Sequence, residues 1–239
     1  MENEHQRLGS TLQSKLDVYN EIQKQFKPVF RYFFFEKFKN PEMWFERRLA
    51  YARSVATTSI AGYVVGLGDR HVNNILVDHT TAELIHIDLG IAFDQGKLLS
   101  TPELVPFRLT RDIVDGFGVT GVDGAFRSAC EETLRVLRKE EYIIMTILDV
   151  FRFDPLYRWK VNPFSKRQKR QETEEKHKEG KEGSAEETTG NKEAVRALLG
   201  VQKKLSSNAS VECQINELIQ IAQDPSNLSR MYSGEIKIL

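Results

Sequence analysis

Residues 68–76 read Gly68-Asp69-Arg70-His71-Val72-Asn73-Asn74-Ile75-Leu76, and residues 86–90 read His86-Ile87-Asp88-Leu89-Gly90. Between these polar ends lie two short apolar runs, Ile75-Leu76-Val77 and Leu84-Ile85-His86-Ile87, separated by the turn-forming Asp78-His79-Thr80-Thr81. Apolar runs flanking a polar turn predict an antiparallel β-hairpin. If Val77 pairs with Ile85, Asn74 falls opposite Asp88, because both pairs of numbers have the same sum. Opposed antiparallel positions lie roughly 4.5–5.5 Å apart at Cα, so an amide and a carboxylate would share one small volume. Both offer hard oxygen atoms of the kind Mg2+ prefers.

The segments on either side read mainly as helix. Residues 5–26 are polar with scattered Leu, Val, Tyr and Phe, and Pro28 stands where it would open a new helical stretch. Phe30, Phe33, Phe34 and Phe38 then follow at three- and four-residue steps. Asn40-Pro41 supplies an N-cap and a first-turn proline, and Phe45, Leu49, Ala52, Ala56 and Ile60 recur at the period of one helix face. That helix is expected to run to about Val65 and stop at Gly66-Leu67-Gly68. Residues 88–109 form a long connection with Gly90, Gly96, Pro102 and Pro106, and a loop of that length inside a compact domain is usually functional. Helices are expected around 123–138 and 140–153, and again near 191–206 and 211–223.

Composition bounds the classes available. Of 239 residues, 40% are hydrophobic and 28% charged, an ordinary globular balance. Lys plus Arg and Asp plus Glu both total 34, so no global basic field argues for direct nucleic-acid binding. Cys130 and Cys213 have no CxxC spacing and are expected to be free thiols. The start, MENEHQRLGS, lacks a signal-peptide pattern, and the greasiest stretch, residues 142–153, is too short to span a membrane. From Ser165 to Glu193 the chain has one alanine and no larger apolar residue. Acidic and basic residues alternate there, so 165–190 is expected to be a disordered, solvated linker rather than a nucleic-acid arm.

Phosphoryl transfer needs a group that orients or deprotonates the attacking hydroxyl, metal ligands that hold the nucleotide phosphates, and positive charge near the transferring group. A catalytic Asp and a metal-binding Asn five residues apart, followed by an Asp-x-Gly turn, is how protein kinases meet that need. Asp69, Asn74 and Asp88-Leu89-Gly90 have this arrangement. Taken singly, each has a plainer reading. Asp69 would be a turn former, Asn74 a loop residue, Asp88 a strand-end cap and His71 a hydrogen-bonded histidine. Arg70 is assigned to structure, as a salt-bridge partner holding the loop. The conjunction of spacing, hairpin and Asp-x-Gly outweighs the single-residue readings.

GDRHVNNIL and HIDLG resemble the catalytic and activation-loop motifs of the phosphatidylinositol-3-kinase-related kinases, which write the loop as DRHxxN. FERRLAYARSVATTSIAGYVVGLGDRH, TPELVPFRLTRDIVDGFGVTGVDG and FDPLYRW resemble the ataxia-telangiectasia mutated (ATM) branch in particular. The resemblance runs from about Lys27 to Trp159 and resumes at Asn191. It implies an α+β, mainly helical fold: the C-terminal lobe of a PI3K/PI4K-like kinase with a small hairpin at its site. Residues 1–164 would be that lobe, with catalytic loop 68–76 and activation loop 88–111. Residues 191–206 would be a regulatory helix. Residues 207–239 resemble the C-terminal FATC domain, although Gly234-Glu235-Ile236-Lys237-Ile238-Leu239 departs from the tryptophan-bearing end usual there.

Carried over, the resemblance implies that Asp69 orients or deprotonates the substrate hydroxyl and that His71 contacts the γ-phosphate. Asn74 and Asp88 would hold Mg2+ or Mn2+, and Leu76 and Ile87 would pack on the adenine of ATP. It also implies protein substrates bearing Ser/Thr-Gln, DNA-damage sensor proteins as partners, and a nuclear location. Two other classes compete with this reading. A phosphoinositide kinase lobe would carry basic clusters in its activation loop, whereas only Lys97 lies between Asp88 and Arg108. A non-catalytic interaction module is suggested by the absence, before Asp69, of a Gly-rich loop or a strand-borne lysine for the phosphates. The chain is accordingly expected to be the C-terminal lobe of a longer enzyme, without its N-terminal lobe and upstream helical repeats, and inactive alone.

Overall fold

The structure, a computed structural model, describes residues 15–99, 102–152 and 184–231. The chain forms two compact units: Met1–Leu137 together with Ser207–Leu239, and Arg138–Ser206. In the first unit the described helices are α1 (15–25), α2 (Arg31–Lys37), α3 (Pro41–Val65), α4 (Arg111–Asp115), α5 (Ala125–Lys139), α8 (Val211–Gln223) and α9 (Pro225–Leu228). Strands β1 (Ile75–Val77) and β2 (Leu84–His86) form an antiparallel pair. The second unit contains α6 (Glu141–Asp149) and α7 (Ser184–Leu205).

Helix α3 is the spine of the first unit, and both its ends are fixed chemically. Asn40 Oδ1 accepts from the N–H groups of Glu42 at 2.9 Å and Met43 at 3.3 Å, with Pro41 in the first turn. Gly66 ends the helix in the left-handed region, φ 66°, where an added Cβ would lie 2.4 Å from the Asp94 nitrogen. The buried face comprises Tyr51, Ala52, Val55, Ala56, Ser59, Ile60 and Val64. Phe45, expected on that face, is exposed, with the Arg48 guanidinium 6.0 Å from its ring centre.

The phenylalanines before α3 pack as their spacing predicts. Tyr51 lies 5.3 Å from Phe30, 5.4 Å from Phe34 and 5.7 Å from Phe117 between ring centres. Its hydroxyl donates to the Ile113 carbonyl, and burial drives its pKa up. Pro28 does not open a helix. Helix α2 begins at Arg31 instead, after Phe30 in the right-handed region, and the Val29 and Arg31 N–H groups donate to the Asp112 and Asp115 carboxylates of α4.

Helix α8 buries Gln214, Ile215, Leu218, Ile219 and Ala222, a three- and four-residue pattern. Gln214 Nε2 donates to the Tyr63 hydroxyl on α3, and Arg135 on α5 pairs with Glu212 at 3.0 Å. The helix expected over 191–206 begins earlier, at Ser184, so residues 184–190 of the expected linker are helical. Ser184-x-x-Glu187 has the spacing of a helix start, which the charge count hid. Residues 165–183 and the unusual chain end lie outside the described residues.

The hairpin register differs from the expectation by one residue. Val77 pairs with Leu84, Leu76 with Ile85 and Ile75 with His86, which places Asn74 opposite Ile87 rather than Asp88. The Ile87 N–H donates to the Asn74 carbonyl at 3.0 Å, extending that register. The turn sets it. The Asp78 carboxylate caps the N–H groups of Thr80 and Thr81, Ala82 sits at φ 62°, and the Asp78 N–H donates to the Glu83 carbonyl. A one-residue shift exchanges the faces of a strand. Leu84 is buried here, its N–H bonded to Ser54 Oγ on α3, while Leu76 and Ile85 face outward.

Candidate active site

The site grows from the end of α3. After Gly66 the chain pairs with the far side of Asp88: Gly68 N–H donates to Ile91 O, Phe93 N–H to Val65 O and Asp94 N–H to Gly66 O, all at 2.8–2.9 Å. These bonds fix the expected catalytic loop beside the start of the expected activation loop. Asp69 and Asp88 both adopt left-handed backbone, φ 58° and 53°. Such a conformation costs about 1 kcal/mol or more for a residue with a Cβ, least for Asp and Asn.

Arg70 closes the arrangement. It is only 5% exposed. Its Nε donates to Gly68 O at 2.8 Å, Nη1 to Ile87 O at 2.8 Å, and Nη2 to Asp88 O. One guanidinium therefore joins the loop before Asp69 to the backbone at Asp88. It thereby ties the backbone that carries Asp69 to the backbone that carries Asp88, with the register as observed. Arg70 holds the loop, as expected, but through main-chain carbonyls rather than through a carboxylate. Burial pulls its pKa below the usual guanidinium value, while Glu103, Asp69 and Asp88 pull the other way. The same burial, with the charge of Arg70 added, lowers His86 to about 4, so that imidazole is neutral near pH 7.

Asn74 is buried and its Nδ2 donates to the Asp69 carbonyl at 2.9 Å. That bond uses one N–H of the amide and leaves Oδ1 as an oxygen that could bind a cation. Asp88 is exposed and its Oδ1 accepts from Gly90 N–H at 3.3 Å. Among the described residues no three His, Cys, Asp or Glu side chains converge. A cation here would take Asn74 and Asp88 from the protein and the rest of its shell from phosphate and water, which suits Mg2+. His71 Nε2 lies 3.9 Å from Asp69 Oδ1, and His71 Nδ1 is buried without a hydrogen-bond partner.

Leu76 and Ile87, expected at the adenine, are 45% and 40% exposed. Ile85 pairs with Leu76 and stands two residues from Ile87 on one strand face, so it joins that apolar platform. The expectation for the adenine named only Leu76 and Ile87, the two residues that the resemblance implies. Sequence reading also missed Glu103, whose Oε1 accepts from the Arg70 N–H at 3.0 Å. No spacing signal connects residues 33 positions apart.

No helix among the described residues is long and apolar enough to cross a membrane. Residues 1–161 match the family model "Phosphatidylinositol 3- and 4-kinase", and residues 208–234 match the "FATC domain". The Serine/threonine-protein kinase TEL1 of Gibberella zeae is 49% identical over 95% of this chain. The Serine-protein kinase ATM of Sus scrofa is 48% identical, also over 95%. This chain spans 8% of the length of each. The solved FAT and kinase domain of CtTel1 superposes with a TM-score of 0.80 at 46% identity, covering 94% of this chain and 14% of that one. The mainly helical fold with its two-stranded hairpin agrees with that likeness, and the chain belongs to the phosphatidylinositol 3- and 4-kinase family, among relatives named as ATM and Tel1 protein kinases.

Proposed function

We propose that this chain is the C-terminal catalytic lobe of a serine/threonine protein kinase that transfers the γ-phosphoryl group of ATP to Ser or Thr followed by Gln. The observation that carries the reading is the Arg70 guanidinium, bonded to Gly68, Ile87 and Asp88 carbonyls, which gathers Asp69, Asn74 and Asp88. The family uses ATP with a divalent metal ion; Mg2+ or Mn2+ fits the amide and carboxylate oxygens of Asn74 and Asp88. When bound, that ion neutralises charge on the phosphate oxygens.

Asp69 accepts the proton of the substrate hydroxyl as its oxygen bonds to the γ-phosphorus and the bond from that phosphorus to the β–γ bridging oxygen breaks, releasing ADP. His71 Nε2 donates toward the γ-phosphate. Leu76, Ile85 and Ile87 pack against the adenine and exclude water from one of its faces. Segment 88–111 presents the peptide. The phosphate-covering loop and its lysine come from an N-terminal lobe outside these residues. On this reading its partners are DNA-damage sensor proteins and its location is nuclear, a proposal supported by the likeness to the ATM and Tel1 kinases.

The test is phosphorylation of a Ser-Gln peptide by the full-length protein with Mg-ATP. Asp69→Ala should abolish turnover, and a Ser-Ala peptide should be a poor substrate. Undiminished turnover in Asp69→Ala would remove the assignment.

A further inference from the structure

Resting on that reading of Asp69, we infer that Glu103 is a positioning residue for the reaction, acting through the peptide unit that joins Asp69 to Arg70. The peptide is held from both sides. Its carbonyl, that of Asp69, accepts from Asn74 Nδ2 at 2.9 Å, and its N–H, that of Arg70, donates to Glu103 Oε1 at 3.0 Å. Fixing this plane fixes ψ of Asp69, a residue already at φ 58°. With both dihedrals set, the Cα–Cβ bond of Asp69, from which its carboxylate hangs, points in one direction. Without the bond to Glu103, the peptide is held from its carbonyl side alone, by Asn74, and Asp69 relaxes toward ordinary backbone.

The carboxylate of Glu103 has a built seat. Its Oε2 lies over two glycines, and a Cβ added at Gly68 would come within 2.7 Å of it and one at Gly96 within 2.3 Å. The Glu103 N–H donates to Gly96 O at 3.2 Å, anchoring the residue from its own backbone. Arg108, five residues further along the same segment, donates from Nη1 to Arg70 O at 3.4 Å. Segment 102–109 thus touches both the N–H and the carbonyl of the residue that follows the catalytic acid. Order in the peptide-presenting loop and the orientation of Asp69 are coupled by direct bonds. The buried charge of Arg70 adds an electrostatic reason for an acid at 103.

The experiment compares Glu103→Ala, Glu103→Gln and Asp69→Ala in the full-length protein, with steady-state kinetics on a Ser-Gln peptide and ATP and a thermal midpoint for each. Glu103→Ala should lower kcat about thirtyfold with KM for ATP within about twofold, since the lost interaction orients the acid rather than the nucleotide. Glu103→Gln keeps an oxygen acceptor for the Arg70 N–H and should recover most of that loss. Three outcomes overturn the inference: kcat of Glu103→Ala within about twofold of wild type, a loss confined to KM for ATP, or Glu103→Gln as impaired as Glu103→Ala at an unchanged midpoint. If Asp69→Ala is inactive while Glu103→Ala is unaffected, the positioning fails and the site reading stands. If Asp69→Ala is active, the site reading itself fails.

Discussion

Helix α3 and the segment that follows it, residues 66–94, are neighbours built on opposite principles. Along α3 the cap, first-turn proline, buried face and terminating glycine agree with one another, and each stabilises the same conformation. In the next segment, Asp69, Ala82, Asp88, Phe93 and Asp94 all have positive φ, and among the described residues these are the non-glycine positions that do. Many of the hydrogen bonds there involve side chains, as where Arg70 donates to the Gly68, Ile87 and Asp88 carbonyls, or join the backbones of separate loops. Local preference is overridden there by tertiary bonds, and two of the five positions, Asp69 and Asp88, are residues assigned to chemistry. A rigid, locally consistent helix supplies the footing; a locally costly loop supplies the site.

The contrast breaks if a change in the loop acts mainly on stability, or one in the helix mainly on chemistry. The largest effect is expected from Asp88→Ala in the full-length protein. Turnover should fall at least about a thousandfold, roughly 4 kcal/mol of transition-state stabilisation, with little change in thermal midpoint. Turnover within about tenfold of wild type would detach Asp88 from the site. Ile60→Ala, at a fully buried position of α3, should cost about 2–5 kcal/mol in denaturant unfolding through the cavity it leaves. KM for ATP should be nearly unchanged under native conditions.

Smaller changes sharpen the comparison at the edge of the helix. Asn40→Ala removes the acceptor for two N–H groups at the α3 N-terminus and should cost about 1 kcal/mol, measurable as a shift in unfolding midpoint. Asn40→Asp should recover most of it. Thiol labelling should perturb least. Cys130 is buried in α5 with its thiol pKa driven up, whereas Cys213 is exposed on α8. One equivalent of maleimide should react promptly in the folded chain and a second only after denaturation. Two prompt equivalents would mean that the α5 core opens under native conditions.

The same contrast explains how much could be read from the amino acids alone. The bounds of α3 followed from Asn40, Pro41 and Gly66, because each signal acts within a turn of itself. Asp69, Asn74 and Asp88 were recognisable by spacing. Their meeting was expected through a register that is one residue off. The turn depends on Ala82 at φ 62°, and nothing about an alanine announces that it will accept left-handed backbone when its methyl is enclosed by the core. Arg70 was read as a salt-bridge partner because an arginine among acids invites that reading; its bonds to carbonyls are set by the fold. Pro28 marks a helix start in the sequence, whereas α2 begins at Arg31, whose N–H is capped from across the chain by the Asp115 carboxylate. Long-range bonds of this kind leave no periodicity, which is also why Glu103 escaped notice.

The central claim is that Asn74 and Asp88, brought together by Arg70 despite not being paired on the hairpin, hold the nucleotide's metal ion. Electron paramagnetic resonance titration of Mn2+ against the full-length protein with saturating ATP tests it directly. Asn74→Ala and Asp88→Ala should each weaken the protein-bound Mn2+ signal at least about tenfold, and the double variant should fall short of the product of the two, as expected for ligands sharing a site. Wild-type Mn2+ affinity in both single variants would contradict the account.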